Sequence, residues 1–206
     1  MIYVIVYHSI GYDSLTSQVK RYGMRNNSTH IIYKTLTPQD LYDTMLLDFN
    51  RYQEVKKHYV KTERGLITED CDYTDDWDKA KKLRRVDDFR QTIAQGGTVI
   101  AAFDGERVAG FGCVGGKKLG TQGQYLQLKY LHVCYEYRRC GIGKRLLAMC
   151  ADAARSAGAK KLYISASSAY ETQLFYRAAG CTEAEEPIQY LCDKEPFDIQ
   201  TELRLT

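Results

Sequence analysis

No Cys-x-x-Cys pair occurs among the seven cysteines (71, 113, 134, 140, 150, 181 and 192), and their number is odd. A disulfide framework is therefore not expected. Neither is a zinc site, because the four histidines (8, 30, 58 and 132) and the scattered cysteines have no ligand spacing. An excess of charge of one sign is also missing: 29 Lys plus Arg face 26 Asp plus Glu, a formal net charge of +3. So balanced a chain gives no field that would collect nucleic acid. Long apolar runs are absent as well. Ile2 to Tyr7, the longest near the start, follows no basic residue and is too short for a secretory segment or a membrane span. We therefore expect a protein of a reducing cytoplasm with no metal, no nucleic acid and no membrane among its partners. Low-complexity sequence is lacking too, and 44% of the 206 residues are hydrophobic, enough for one domain with a core of its own.

Residues 1–30 read as an N-terminal extension to a body at 31–206, with Met24 an alternative start. The body opens on an expected strand, Ile31 to Leu36. Thr37-Pro38-Gln39-Asp40 carries the cap, the proline and the acidic residue of a helix start, so helix is expected over much of 38–64. Six carboxylates follow between Glu69 and Asp78. They do not form a calcium loop: counted from Asp70, the sixth position is Asp75 where the turn wants Gly, and the twelfth is Lys81 where a Glu is needed. A solvated loop leading into a helix is expected instead. Trp77, Leu83, Val86, Phe89 and Ile93 recur at near-helical spacing until Gly96-Gly97.

Thr98 to Phe103 and Arg107 to Gly112 read as a hairpin turning at Asp104-Gly105, and Gln124 to Val133 as a longer strand. A helix from Ile142 presents Leu146, Leu147, Cys150 and Ala154 on one face and stops at Gly158. Then come a strand at Lys161 to Ala166 and a helix opened by the capping box Ser168-Ala169-Tyr170-Glu171, which carries Leu174, Phe175 and Ala178 and ends at Gly180. Cys181 to Glu185 and Phe197 to Leu205 suggest a last antiparallel pair. The order predicts an α/β arrangement centred on a strand-helix-strand unit, with ligand at the carboxyl ends of its strands.

Chemistry concentrates between Leu131 and Arg145, where a strand ends, a short basic loop follows, and glycines open a helix. Glycines let the backbone curl around an anion, and the free N–H groups and dipole of a helix start attract one. Arg138, Arg139, Lys144 and Arg145 add positive charge. A P-loop does not fit, because Lys144 precedes Arg145 and the position six before it is Arg138. A dinucleotide fingerprint fails at Leu146, where a third Gly is required.

Arg138-x-x-Gly141-x-Gly143 after Leu131-x-Val133 does fit one pattern. With Lys161-Leu162-Tyr163-Ile164 and Leu174-Phe175-Tyr176 four residues before Gly180, the chain resembles the GNAT superfamily of acyl-CoA-dependent N-acyltransferases. The likeness covers roughly residues 31–206 and is strongest over 124–181. Tyr125-Leu126-Gln127-Leu128, Leu162 to Ala166 and Glu195-Pro196-Phe197-Asp198-Ile199-Gln200 place it near a bacterial-type branch of small single-domain acetyltransferases. The resemblance implies a mixed, mostly antiparallel sheet flanked by helices, with acetyl-CoA as cosubstrate. It further implies that N–H groups of Arg139, Cys140, Gly141, Ile142, Gly143 and Lys144, beside Arg138, hold the coenzyme pyrophosphate, and that the Leu131-His132-Val133 backbone pairs with pantetheine like an added strand. It assigns the Val133 N–H to the oxyanion and Tyr176 to protonation of the leaving sulfur; a free Tyr pKa of about 10 leaves the phenol neutral and able to donate.

A general base is not named by these residues. The place of the family's strand Glu falls on Gln127, which cannot take a proton. His132, Glu136, Glu171, Glu185 and a water relay stay open; strand alternation favours a packed or surface role for His132. Cys140 sits where a helix start and arginines could activate a thiol, but a small loop residue is the preferred account. Tyrosines 42, 52, 59 and 73, with Arg51, Glu54 and the acidic stretch, fit a small amine or amino-acid-like acceptor. The expected protein is an N-acetyltransferase, monomer or homodimer, acting by direct transfer to an amine. A non-catalytic acyl-CoA sensor on the same fold is the alternative.

Overall fold

The computed structural model describes residues 30–205. Residues 1–29 of the expected extension, with the apolar run Ile2 to Tyr7, lie outside them. Strand β1 (Ile32–Thr35) pairs antiparallel with β4 (Thr98–Asp104), which turns through Gly105, at φ 59°, into β5 (Arg107–Leu119). β5 pairs antiparallel with β6 (Tyr125–Val133), and helix α2 (Ile142–Ser156) then crosses to β7 (Lys161–Ala166). Helix α3 (Tyr170–Ala178), β8 (Thr182–Glu183), the short helix α4 (Gln189–Lys194) and β9 (Ile199–Arg204) complete the chain, giving the sheet order β1-β4-β5-β6-β7-β9-β8. Of its contacts only β6–β7 is parallel, as a crossover helix requires.

The two faces of the sheet have separate cores. Helix α1 (Lys79–Ala94), capped by Asp78 through the Lys81 N–H at 2.6 Å, covers one face with Val86 and Phe89 against Phe111, Val99 and Trp77. Helix α2 covers the other with Ile142, Leu146, Leu147, Cys150 and Ala154, and Tyr176 of α3 joins that cluster. The helical spacing read from the sequence is observed for α2 and, at Val86 and Phe89, for α1, which starts after Trp77; Gly96 and Gly158 lie beyond their ends, both at positive φ.

Two expectations for the N-terminal half are overturned. Thr37-Pro38-Gln39-Asp40 makes its reciprocal bonds, Asp40 accepting the Thr37 N–H at 2.8 Å, but only one 3-10 turn (Pro38–Asp40) forms. Residues 53–75, expected to be helix and then an acidic loop, form the hairpin β2 (Gln53–Thr62) and β3 (Gly65–Asp75). The carboxylates Asp70 and Asp72 stand on β3 facing Lys57 and Lys56, so cross-strand charge pairing accounts for a run that looked like a loop. The hairpin reaches over α3: Tyr59 N–H donates to Ser168 O at 2.8 Å, and Tyr59 stacks on Tyr170. Extended pairing of His58 with Ala169 also displaces the expected capping box. Ala169 is the N-cap and makes no side-chain cap, and Gln173 Nε2 bonds back to Ser167 O at 2.7 Å.

Candidate active site

β6 and β7 pair over only three residues, Tyr125–Gln127 against Lys161–Tyr163. Beyond them β6 runs on to Val133 and β7 to Ala166 without bonding each other, which leaves an opening at the carboxyl ends of this parallel pair. A register shift near Lys129 bends β6 away. Cys134 N–H donates to Ala109 O at 2.9 Å, on the β5 side. By strand alternation the N–H groups of Val133 and Leu131 face the opening. This is the polar edge that an added strand would use.

The loop after β6 makes one turn at Tyr135–Tyr137, and Gly141 at φ 80° then opens α2. Six consecutive N–H groups, from Arg139 to Lys144, have no acceptor within hydrogen-bonding distance among the described residues; the first helical bond is Arg145 N–H to Gly141 O at 3.1 Å. Arg139 (φ 63°) and Gly141 both adopt the left-handed conformation, which curls successive amides into a concave, anion-binding surface. No Cβ would meet anything at Gly141, whereas at Gly143 it would lie 3.4 Å from the Phe175 ring and 3.5 Å from Val133 Cγ2. Bend, β6 terminus and α3 therefore converge on Gly143.

Not every residue expected at the bend points to it. Arg138 is turned inward: its N–H donates to Tyr135 O, Nε to Val133 O at 3.2 Å and an Nη to Arg51 O at 3.1 Å. It fastens the loop to the strand end, and the cations left facing out are Arg139, Lys144 and Arg145, all exposed. Cys140 is exposed, with its thiol 3.5 Å from Arg138 O. Ile142 is buried in the α2 core.

His132 lies on the opposite face of β6, edge-on to Trp77 at 4.8 Å and to Phe111 at 5.5 Å. Burial, then Arg51, Arg85, Arg138 and Lys81, hold its pKa well below 6.5, so the ring is neutral and packed. Glu136 is engaged by Asn50, Cys134 and Arg107, and Glu185 by Lys161 and Arg204. Gln127 ends the paired part of β6.

Tyr176 is buried, and its hydroxyl has no hydrogen-bond partner among the described residues. Burial, followed by Cys181, Cys150 and Asp198, raises its pKa, which keeps the proton on oxygen at neutral pH. Its ring meets Phe175 edge-on at 5.1 Å. It also lines a cavity of about 150 Å³ with Leu66, Gln173, Arg177 and Ile199. Phe175, which links Tyr176 to Gly143 and Val133, was expected only as a core position of its helix; the Leu-Phe-Tyr string carried it but not its direction.

The half-open parallel strand pair, the amide-lined bend and the helix start after it form one candidate site at the carboxyl ends of β6 and β7. The Acetyltransferase (GNAT) family model matches residues 64–180, more than half of the chain, and the chain belongs to that family. A comparison with curated proteins returned no match. Among solved structures, the chain is similar to a nourseothricin acetyltransferase at 16% identity and a TM-score of 0.64, over 85% of this chain and 99% of that one. It is similar to a protein described as a streptothricin acetyltransferase from Bacillus anthracis str. Ames, in complex with acetyl coenzyme A, at 15% identity and a TM-score of 0.62, over 87% and 100%. An acetyltransferase of the GNAT family from Staphylococcus aureus Mu50 follows at 17% identity and 0.56, over 85% and 99%. At these identities the likeness is one of fold: the mixed, mostly antiparallel sheet with its helices.

Proposed function

We propose that the protein transfers an acetyl group from acetyl-CoA to a primary amine of a small molecule, directly, with both substrates bound. The observation that carries this reading is the row of six unbonded N–H groups from Arg139 to Lys144 at the mouth of the β6–β7 opening. Such a row suits a diphosphate, because its donors are preorganised and α2 adds its positive end. Arg139, Lys144 and Arg145 supply the countercharge. The unpaired edge of β6 at Leu131 and Val133 suits the amides of a pantetheine arm.

When bound, acetyl-CoA supplies an activated acyl group on a good leaving sulfur. Val133 N–H, facing the opening, donates to the oxygen that becomes an oxyanion. Tyr176, neutral and unpartnered, donates its proton to the departing sulfur. An ordinary phenol pKa of about 10, raised further by burial, keeps the hydroxyl protonated at neutral pH, so the proton that the sulfur takes is present on it. Arg138 holds the Val133 carbonyl and thereby the direction of the Val133 N–H. The aromatic and acidic residues of the β2–β3 hairpin, which arches over α3, suit a cationic acceptor. The solved structures of similar fold that are described as acting on nourseothricin or streptothricin make amine-bearing antibiotics sensible members of a test panel.

The reading is tested by thiol release from acetyl-CoA with L-lysine, spermidine and nourseothricin, beside a thermal-shift titration with acetyl-CoA alone. Acetyl-CoA is expected to raise Tm with the logarithm of its concentration, and at least one amine to give thiol release above the water background. No Tm shift at millimolar acetyl-CoA overturns it.

A further inference from the structure

The strand β9 is led in by Glu195-Pro196-Phe197-Asp198, a string that the site described above does not use. Phe197 is 85% exposed, while Asp198 turns inward. Ile188 N–H donates to Tyr163 Oη at 2.9 Å, and Tyr163 Oη donates to Gln200 Oε1 at 2.8 Å. Gln200 Nε2 then donates to Ser165 Oγ at 3.0 Å, and Ser165 Oγ donates to Asp198 Oδ2 at 3.2 Å. With the first donor a backbone amide, the links run one after another toward Asp198, and the chain ends on its carboxylate. Asp198 Oδ1 has no partner among the described residues.

The placement of this carboxylate matters as much as its support. Ser165 is on β7 beyond Tyr163, where pairing with β6 has ended, so it stands on the far wall of the opening from Val133. Leu162, Ile164 and Ala166 pack toward α2; by alternation Ser165 and its cross-strand partner Gln200 face the other side of the sheet. There Asp198 is close enough to Tyr73 of the hairpin and to Tyr176 of α3 to act on both electrostatically. The coenzyme bend, by contrast, lies at the N-terminus of α2. A carboxylate on the side of the opening away from α2, beneath the hairpin, meets an acceptor that approaches opposite the thioester.

We propose that Asp198 is the general base that accepts the proton of the acceptor amine, and that Ser165, Gln200 and Tyr163 are positioning residues that orient it. The proposal rests on the acyl-transfer reading and deepens it: the acceptor binds as an ammonium against Asp198, and the carboxylate that Gln127 cannot provide on β6 comes from the segment leading into β9. The ammonium gives one proton to Asp198, and the freed nitrogen lone pair attacks the thioester carbonyl. The C–N bond forms and the C–S bond breaks, and the sulfur leaves with its electron pair and takes the Tyr176 proton. The second nitrogen proton restores Tyr176 through solvent, Asp198 passes its own proton to water, and one proton is released per turnover. Burial, with Glu195 adding to it, lifts the Asp198 pKa to about 6, against the opposing hydrogen bond of Ser165. The ionisable groups that interact with it electrostatically are Tyr73 from β3, Tyr176 from α3 and Glu195 from its own segment. Such a base is ionised at neutral pH yet more basic than a solvated Asp.

The test uses the full chain, acetyl-CoA and the three amines named above. Asp198→Asn is expected to lower kcat about a hundredfold or more, the scale of a lost general base, while the Kd of acetyl-CoA stays within twofold. The acid limb near pH 6 in the wild-type kcat/KM profile is expected to vanish in Asp198→Asn and to survive in Asp198→Glu with part of the rate. Ser165→Ala should move that limb upward, because the hydrogen bond it removes favours the ionised carboxyl. Wild-type kcat in Asp198→Asn, or a loss of Tm with an unmoved pH profile, overturns the assignment. Failure of the acyl-transfer reading looks different: the wild-type chain then releases no thiol with any panel amine, and the base assignment falls with it.

Discussion

Gly112 of β5 and Cys150 of α2 touch so closely that a Cβ on Gly112 would stand 2.4 Å from Cys150 Sγ. No real pair of atoms of this kind sits at that distance, so with any side chain at 112 either the Cys150 thiol must turn away or α2 must lift off the sheet. Gly110 is similarly tight, with Leu146 Cδ1 and His132 O each 3.0 Å from its would-be Cβ. These two glycines set how deep α2 lies and thereby where its N-terminal amides stand relative to Val133. Gly112→Ala is expected to cost about 1–3 kcal/mol in urea denaturation, the usual range for overpacking. Cys150→Ala in the same chain should recover much of that loss, because the double variant trades one atom for another. An additive double variant would show that the contact does not govern the seating.

At Gly141 the obstacle is backbone geometry, since its φ of 80° is paired with open space where a Cβ would go. Gly141→Ala should therefore cost roughly 1 kcal/mol, the penalty of the left-handed conformation for an L-residue. The bend would relax toward negative φ and splay the amides from Arg139 to Lys144. The rise of Tm with acetyl-CoA should shrink by more than the loss of intrinsic stability accounts for, which a thermal-shift titration on both proteins reads directly.

Tyr176→Phe removes one oxygen from a buried ring whose hydroxyl bonds nothing else in the described structure. Stability should change little for that reason, and acetyl-CoA binding should hold. Turnover should fall by about 10²–10⁴, the scale of a lost general acid. Measured kcat with the responsive amine, set beside the Kd for acetyl-CoA, separates these outcomes. A phenylalanine variant with full kcat would leave the sulfur to be protonated by another group.

What the sequence disclosed follows from which signals were strong. Helices α1 and α2 each lay a broad apolar stripe on one face of a sheet, and that burial wrote a 3.6-residue period into Val86, Phe89, Leu146, Leu147, Cys150 and Ala154. The hairpin wrote no such signal. β2 and β3 bury little besides Val55, so Lys56, Lys57, Asp70 and Asp72 could alternate as charge pairs without an apolar rhythm, while the helix-start string at Thr37 was spent on one turn. The glycine bend was legible because a left-handed position favours glycine, and Gly141 takes one. The direction of Arg138 was not, since a guanidinium after a strand end can face a ligand or grip its own backbone, and composition does not distinguish them. Asp198 stayed hidden for a related reason: its partners Ser165 and Gln200 come from positions 33 and two residues away, joined only by the pairing of β7 with β9.

His132 makes the chain sensitive to acid through its enclosure by Trp77 and Phe111. Burial chiefly, and the cations Arg51, Arg85, Arg138 and Lys81 after it, hold its folded pKa well below 6.5, whereas the unfolded chain titrates near the ordinary value. As pH falls below about 6.5 the unfolded state gains a proton that the folded state refuses, so stability falls with decreasing pH. The slope due to this group should approach about 1.4 kcal/mol per pH unit, one proton's worth. Urea midpoints from pH 7 to pH 5 should show that loss in the wild type and a flatter curve in His132→Phe. Parallel curves would mean the ring takes its proton inside the fold.

Glu202 on β9 is sealed from solvent and lies 2.7 Å from Lys161 Nζ and 2.6 Å from Tyr125 Oη, with the Glu185 N–H at 3.1 Å. Burial by itself would raise its pKa, but the hydrogen bonds of Lys161, Tyr125 and the Glu185 amide outweigh that and hold it below its ordinary value of 4.5. A carboxyl depressed in this way contributes stability that is present above its unfolded pKa and is lost as pH falls through the folded one. Lys161→Met should therefore lower Tm at pH 7, because it strands a buried carboxylate. The double variant Lys161→Met with Glu202→Leu should be more stable than the single, since replacing both partners by apolar side chains leaves no charge unpaired. The sign of that difference, measured by thermal unfolding at pH 7 and again at pH 3, where it should narrow as the carboxyl takes up a proton, decides whether the ion pair locks β9 to β7 and so fixes the strand that presents Asp198.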